Sequence, residues 1–177
     1  MAEKIERSTG LRVQITGGTL MMSPTPRGKR TGTVRRPRIQ LDPRLPADLG
    51  AYEVSSIHTP GNDEDYATPD LIVLPVDREN DDRRLADPHE AALAVEMISN
   101  SEGLKAVATK TDWYASTGAP VLLALDPRNG TWTLHTHPHD GAYQGVLHGK
   151  YGEPVPLPSP LPAELDTSGL PLYAPRG

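Results

Sequence analysis

The chain has 177 residues, a formal net charge of -5 and no cysteine. The absence of cysteine excludes disulfide bonds, thiolate zinc sites and a cysteine nucleophile, and it fits a cytoplasmic location. No apolar run approaches the ~20 residues that a membrane-spanning helix needs, and without an internal repeat the chain is predicted to be a single domain over residues 1–177.

Residues 1–10 are polar and are expected to be flexible, and a β-hairpin is predicted to follow them. Leu11–Ile15 alternates apolar with polar side chains, and Gly17 and Gly18 supply a turn. The next segment, called the basic run below, has six basic residues and no acid: Arg27, Lys29, Arg30, Arg35, Arg36 and Arg38. It is either a phosphate-contacting surface or a solvated, weakly helical face.

The middle of the chain predicts strands that are joined by polar loops. Tyr52–Ile57 has the composition of a strand, and Thr59–Ala67 is predicted to be a turn-rich acidic loop. Residues 77–88 are polar and are expected to connect two strands as an extended antiparallel pair.

Each of those two strands carries one carboxylate. Thr68–Pro75 is an apolar strand with Asp70 near its start, and Leu93–Ser99 is an apolar strand with Glu96 in its middle. Burying an ionised carboxylate costs several kcal/mol unless a cation compensates it, so a positive group is expected beside Glu96. Two acids on neighbouring strands also suit Mg²⁺ or Mn²⁺.

An amphipathic helix is predicted from Leu104 to the glycine at position 118. Its apolar side follows the helical period at Leu104, Val107, Ala108, Thr111 and Ala115. Gly118 is a fitting C-terminal stop. Lys110 lies at the border of the buried stripe, from where a long side chain can reach toward a cleft.

The last third predicts a buried strand, a hairpin and an extended cover. Val121–Leu125 is wholly apolar, and Thr131–His137 alternates after a turn. The residues from 154 to 177 are proline-rich and are expected to form a C-terminal cover. A mixed α/β sheet with at least one helix against it follows from this order. A weaker alternative metal site would use the histidines of this hairpin, His135, His137 and His139.

An ordered set of short motifs covers nearly the whole chain. It comprises Gly17-Gly18, Met22-Ser23-Pro24, Pro69-Asp70, Val95-Glu96-Met97-Ile98-Ser99, Lys110-Thr111-Asp112-Trp113-Tyr114-Ala115, Gly118-Ala119-Pro120, Leu125-Asp126-Pro127-Arg128 and Gly152-Glu153-Pro154-Val155-Pro156-Leu157-Pro158. Together these motifs resemble the Uma-type restriction endonuclease family of bacteria, a branch of the PD-(D/E)XK nuclease superfamily.

The resemblance implies a restriction-endonuclease-like core, a mixed sheet flanked by helices with the acidic ligands on adjacent strands. It casts Asp70 and Glu96 as metal ligands. In the wider superfamily a lysine follows the glutamate by two residues, where this chain has Ile98. In the Uma-type branch the next helix supplies the lysine, which corresponds to Lys110.

Three positions depart from the family pattern. The first hairpin commonly carries a glutamate where this chain has Gln14, which can hydrogen-bond beside the site but brings no charge. Ala106 replaces a frequent aspartate four residues before the lysine, and Asn100 replaces the usual proline after Ser99.

These patterns favour a Mg²⁺- or Mn²⁺-dependent DNA endonuclease in which Asp70 and Glu96 bind the metal and Lys110 assists the attacking water. A homodimer is expected by analogy, because duplex DNA has two strands. Two alternatives stay open. One is an attenuated nucleic-acid-binding or oligomerising module that keeps the nuclease fold, and the other is hydrolysis of a different phosphoester.

Overall fold

The computed structural model describes residues 12–23 and 28–174, without the side chains of residues 12–14, 21 and 23. Residues 1–10 and Arg27 therefore lie outside the described part of the chain, and so does the side chain of Gln14. No helix in the described part is both long and apolar enough to span a membrane.

The described residues form thirteen strands and two α-helices, together with three short 3-10 helices. The strands are β1 (Arg12–Thr16), β2 (Thr19–Ser23), β3 (Leu49–Tyr52), β4 (Ser56–Thr59), β5 (Asn62–Ala67), β6 (Leu71–Pro75), β7 (Leu85–Ala86), β8 (Leu93–Met97), β9 (Val121–Asp126), β10 (Thr131–His139), β11 (Ala142–Lys150), β12 (Val155–Pro156) and β13 (Glu164–Leu165). The helices are α1 (Gly28–Leu41) and α2 (Leu104–Thr117).

A six-stranded sheet in the order β11-β10-β9-β8-β6-β3 forms the centre of the molecule. Its β8 and β9 are parallel, and its other neighbours are antiparallel. A second sheet has the order β2-β1-β5-β4-β7, and β12 pairs with β13. The mixed sheet with flanking helices confirms the predicted fold class.

The two faces of the six-stranded sheet are covered by different elements. On one face the side chains of β6 and β8 pack against α1 and against leucines from residues 157–170. On the other face alternate side chains of the same strands pack against Trp113 and Tyr114 of α2. Because side chains alternate along a strand, Ala94 and Glu96 share the face that α2 covers.

The pairing of β6 with β8 positions the two predicted acids. Leu71 pairs with Val95 in an antiparallel register, and the N–H of Asp70 donates to the carbonyl of Val95 at 3.0 Å. Asp70 precedes Leu71 and Glu96 follows Val95, so these two residues come opposite each other where the pairing of β6 with β8 ends. They therefore lie beside each other at one end of two neighbouring inner strands of the sheet.

The structure corrects three local predictions. Tyr52–Ile57 is not one strand, because exposed Val54 has a positive φ of 62° and separates β3 from β4. Thr59–Ala67 is not a loop, because residues 62–67 form β5 between β1 and β4, with exposed acids at one end and buried Tyr66 at the other. The weakly helical basic run is a regular helix that contains Pro37.

Other predicted elements are confirmed. The first hairpin, the two carboxylate strands and their antiparallel pairing are present. The predicted helix extends from Leu104 to Thr117, and Gly118 ends it in the left-handed conformation with a φ of 83°.

We expect Gly118→Ala to lower the free energy of unfolding by about 1 kcal/mol or more, because the added Cβ is strained at a positive φ and would lie 2.5 Å from His89 Nε2. Gly32→Ala is the matched substitution inside α1, where the new Cβ would meet only a Pro171 side-chain carbon at 3.6 Å. It should raise stability by up to about 1 kcal/mol, since alanine is the better helix former. Urea unfolding of both variants checks the pair, and a stable Gly118→Ala would contradict the assigned helix end.

Candidate active site

Asp70 is buried, with 4% of its surface exposed, and both of its carboxylate oxygens accept hydrogen bonds. The backbone N–H of Met97 donates to Oδ2 at 2.8 Å. Arg30 of α1 donates from Nη2 to Oδ1 at 2.7 Å and to Oδ2 at 2.8 Å, and from Nε to Oδ1 at 3.2 Å. Asp70 is thus tied both to the end of β8 and to the first turn of α1.

Glu96 is 5% exposed, and α2 supplies partners for both of its oxygens. Lys110 Nζ donates to Oε2 at 3.1 Å, and the Tyr114 hydroxyl donates to Oε1 at 2.6 Å. Residues four apart lie on the same face of a helix, so one turn of α2 presents both donors. The positive group expected beside Glu96 is Lys110.

Lys110 contacts a second acid, Glu102, which the sequence patterns did not single out. Its Nζ donates to Glu102 Oε1 at 3.1 Å, while Glu102 Oε2 accepts the N–H of Ser99 at 2.7 Å. The Arg128 guanidinium donates to the carbonyl of Glu102 at 2.6 Å and is itself held by Asp126 at 2.8 Å. Glu102 precedes α2, so no helical spacing could have linked it to Lys110.

The pKa shifts of Glu96, Glu102 and Lys110 follow from their burial and from their contacts with one another. Desolvation raises the pKa of Glu96, and the nearby charge of Asp70 adds to the effect, while Lys110 opposes it. Desolvation lowers the pKa of Lys110, but the two carboxylates outweigh it and raise that pKa overall. Burial alone would raise the pKa of Glu102, and the contact with Lys110 instead brings it below its usual range. The Lys110 ammonium is therefore charged at neutral pH.

The oxygens around Asp70 suit a hard divalent cation. The Asp70 carboxylate and the carbonyl of Met97 both accept bonds from Arg30, and the charge of Glu96 also acts on that guanidinium. Mg²⁺ in proteins is commonly bound by one or two carboxylates together with water. Within residues 12–23 and 28–174, no three His, Asp or Glu side chains gather to hold a metal. The fit therefore rests on two carboxylates and one backbone carbonyl.

A small cavity of about 20 Å³ lies on the α2 side of the acids. Its lining includes Glu96, Glu102 and Lys110. A volume of this size holds about one water molecule. A water in this cavity would lie close to both the buried carboxylate and the ammonium group.

The structure separates the members of the basic run. Arg30 is bonded to the buried acid Asp70. Lys29 is exposed and donates from Nζ to the carbonyl of Leu172 at 2.9 Å. Arg38 forms ion pairs with Asp42 and Glu53 at 3.4 and 3.1 Å.

Two further members, Arg35 and Arg36, are exposed on α1. Arg27 and the side chain of Gln14 lie outside the described residues, although the backbone of Gln14 pairs with Met21 in the first hairpin. The roles assigned to all these residues stay predictions.

The histidine hairpin does not form a metal cluster in the part of the chain that the structure describes. The backbone of His137 has a positive φ of 56°, which interrupts the alternation expected along β10. His135 instead packs against the ring of Tyr143, with 5.5 Å between ring centroids.

Comparison with known proteins agrees with the fold and the motifs. The family model Uma2, described as "Putative restriction endonuclease", matches residues 2–172. A solved structure described as a "putative nuclease belonging to DUF820", from Anabaena variabilis ATCC 29413, has 18% sequence identity and a TM-score of 0.62 over 85% of this chain and 84% of that chain. No curated protein matches the sequence. The family resemblance drawn from the motifs is confirmed.

We expect Tyr114→Phe to lower the free energy of unfolding by about 1–3 kcal/mol, because it leaves one oxygen of a buried carboxylate without its donor. Tyr143→Phe is the matched control, since that hydroxyl donates to the neutral carbonyl of Ala119 at 2.8 Å. Its loss should be about 0.5–1.5 kcal/mol. Equal losses in urea unfolding would show that the Glu96 contact has no special weight.

Lys110→Met should cost about 3 kcal/mol or more near neutral pH, because it leaves Glu96 buried without its cation. The variant should lose less stability at acidic pH, since removal of the cation raises the pKa of Glu96 further and protonation then removes the unpaired charge. The double variant Glu96→Gln/Lys110→Met should recover more than half of the loss. Additive losses in a double-mutant cycle would refute the ion pair.

Proposed function

This chain belongs to the Uma2 restriction endonuclease family, and we propose that it is a metal-dependent DNA endonuclease that hydrolyses phosphodiester bonds. The observation that carries the proposal is the pair of buried carboxylates, Asp70 and Glu96, side by side at one end of two neighbouring inner strands with Lys110 at 3.1 Å from Glu96. Buried charged groups need a partner of opposite charge. Such groups are concentrated at functional sites.

Asp70 and Glu96 would hold Mg²⁺ or Mn²⁺, which when bound supplies a Lewis acid for a phosphate oxygen and a more acidic water. The protein would hold both carboxylates in fixed positions. The Met97 N–H fixes the Asp70 carboxylate, and the Tyr114 hydroxyl fixes Glu96. Both acids are therefore positioned before any substrate arrives, which reduces the reorganisation needed during the reaction.

Lys110 acts in this proposal as a fixed positive charge. Its raised pKa keeps Nζ protonated, so it is unsuited to remove a proton from water as a base. An ammonium group beside the reacting phosphate can stabilise the negative charge that develops there. Glu102 holds Nζ from the other side at 3.1 Å and limits its movement.

The proposed substrate contacts come from the exposed basic residues of α1. The net charge of -5 gives no general attraction for phosphates, so binding depends on local positive charge. Arg35 and Arg36 are exposed and lie on the helix that delivers Arg30 to the acids. By analogy with superfamily nucleases the proposal includes a homodimer in the cytoplasm, in which each strand of a duplex would meet one site.

The second candidate is an attenuated module that binds nucleic acid or oligomerises but does not cleave. Two features favour it. Gln14 brings no charge where the family commonly has glutamate, and a guanidinium already neutralises Asp70.

We expect purified protein to nick or cleave plasmid DNA with Mg²⁺ or Mn²⁺, and Glu96→Gln and Asp70→Asn to lower the rate by about 10²-fold or more, because each removes a proposed metal ligand. Glu64→Gln, at an exposed acid of β5, is the matched control and should cleave at the wild-type rate. Gel assays on plasmid, linear duplex and single strands measure all four proteins.

Cleavage that persists in both ligand variants would reject the proposed site. DNA binding without cleavage in either metal would favour the attenuated module instead.

A further inference from the structure

The guanidinium of Arg30 occupies the oxygens that the proposed metal would use. It donates to both oxygens of Asp70 at 2.7–3.2 Å, and Nη1 donates to the carbonyl of Met97 at 3.3 Å. The negative charge of Glu96 also acts on it. The guanidinium thus bonds the Asp70 carboxylate and the Met97 carbonyl, and it is also attracted by the negative charge of Glu96.

A guanidinium and a divalent cation compete for such a set of oxygens. Arg30 cannot lose its charge to make room, because an arginine side chain stays protonated in proteins. Burial lowers the pKa of Arg30, but the contact with Asp70 outweighs this and raises it further. Metal entry therefore requires the side chain to move.

We propose that Arg30 is an internal counter-ion of the metal site, which holds the acids in place without metal and must withdraw from Asp70 and Met97 before a divalent cation binds. This inference rests on the proposed metal site. It adds that metal affinity is set by competition with a residue of α1, and that the form with Arg30 withdrawn is the one competent to bind.

The surroundings of Arg30 show how the contact is maintained and released. Its side chain is 22% exposed, whereas that of Asp70 is 2% exposed, so the guanidinium can leave toward solvent while the acid stays buried. Arg30 lies close enough to Tyr173 to oppose the rise in the pKa of that hydroxyl that burial causes, and neighbouring Lys29 is bonded to the carbonyl of Leu172. Residues 172–173 therefore restrain the first turn of α1.

The test measures Mn²⁺ binding from the electron paramagnetic resonance signal of the free ion. Arg30→Gln should bind Mn²⁺ about tenfold more tightly than the wild type, because the affinity is no longer reduced by the fraction of molecules in which Arg30 blocks the oxygens. Arg44→Gln removes the same charge at an exposed arginine, which donates to the carbonyls of Gln40 and Glu164 and lies away from the two acids in sequence and on a different element. It should leave the affinity unchanged.

Unchanged or weaker binding by Arg30→Gln, or no binding by either protein, would overturn the counter-ion proposal. A measurement on the wild type does not depend on how the variant folds. The ¹H–¹⁵N signal of Arg30 Nε should shift as Mg²⁺ is added, and a signal that stays in place at saturating metal would also overturn the proposal.

The outcome is separable from that of the proposed nuclease function. Tighter Mn²⁺ binding by Arg30→Gln with no cleavage by any protein would support the counter-ion and reject the nuclease. Metal-dependent cleavage by the wild type together with equal affinities would support the nuclease and reject the counter-ion.

Discussion

Two carboxylates buried side by side are the constraint on which this structure depends. Asp70 and Glu96 lie at the end of the β6–β8 pair, where neither has free access to solvent. Ionised acids in such a place need positive charge close by. The fold supplies it from both faces of the sheet, with Arg30 delivered by α1 and Lys110 by α2.

Much of the surrounding structure holds these charged side chains in position. The period of α2 puts Lys110 and Tyr114 on one face, and each contacts a different oxygen of Glu96. The segment before α2 is fixed by Arg128, which brings Glu102 to the far side of Lys110. The same arrangement makes α1 more than a surface helix. Its first turn supplies Arg30 to Asp70, so a shift of α1 would remove positive charge from beside the two buried acids.

The sequence predicts the centre of the site better than its edges. Glu96 stands out because a charge interrupts an apolar strand, and the helical period predicts where Lys110 lies. The contacts of Arg30 and Glu102 were not predictable in this way. Arg30 belongs to a run of basic residues typical of a surface, and its contact with Asp70 spans 40 residues of chain. Local patterns cannot specify such a contact, because it depends on how α1 docks. The strand β5 was missed because its exposed acids show no apolar alternation, although it forms a local hairpin with β4 through residues 60–61.

In the proposed nuclease, Asp70 and Glu96 form one cation site shared between two strands. Equilibrium dialysis of the wild type against Mn²⁺ tests it most directly, with Asp70→Asn and Glu96→Gln as the compared variants. We expect one ion bound per chain in the wild type and loss of that ion in both variants. No ion bound by the wild type, or an ion retained by both variants, would contradict the shared cation site.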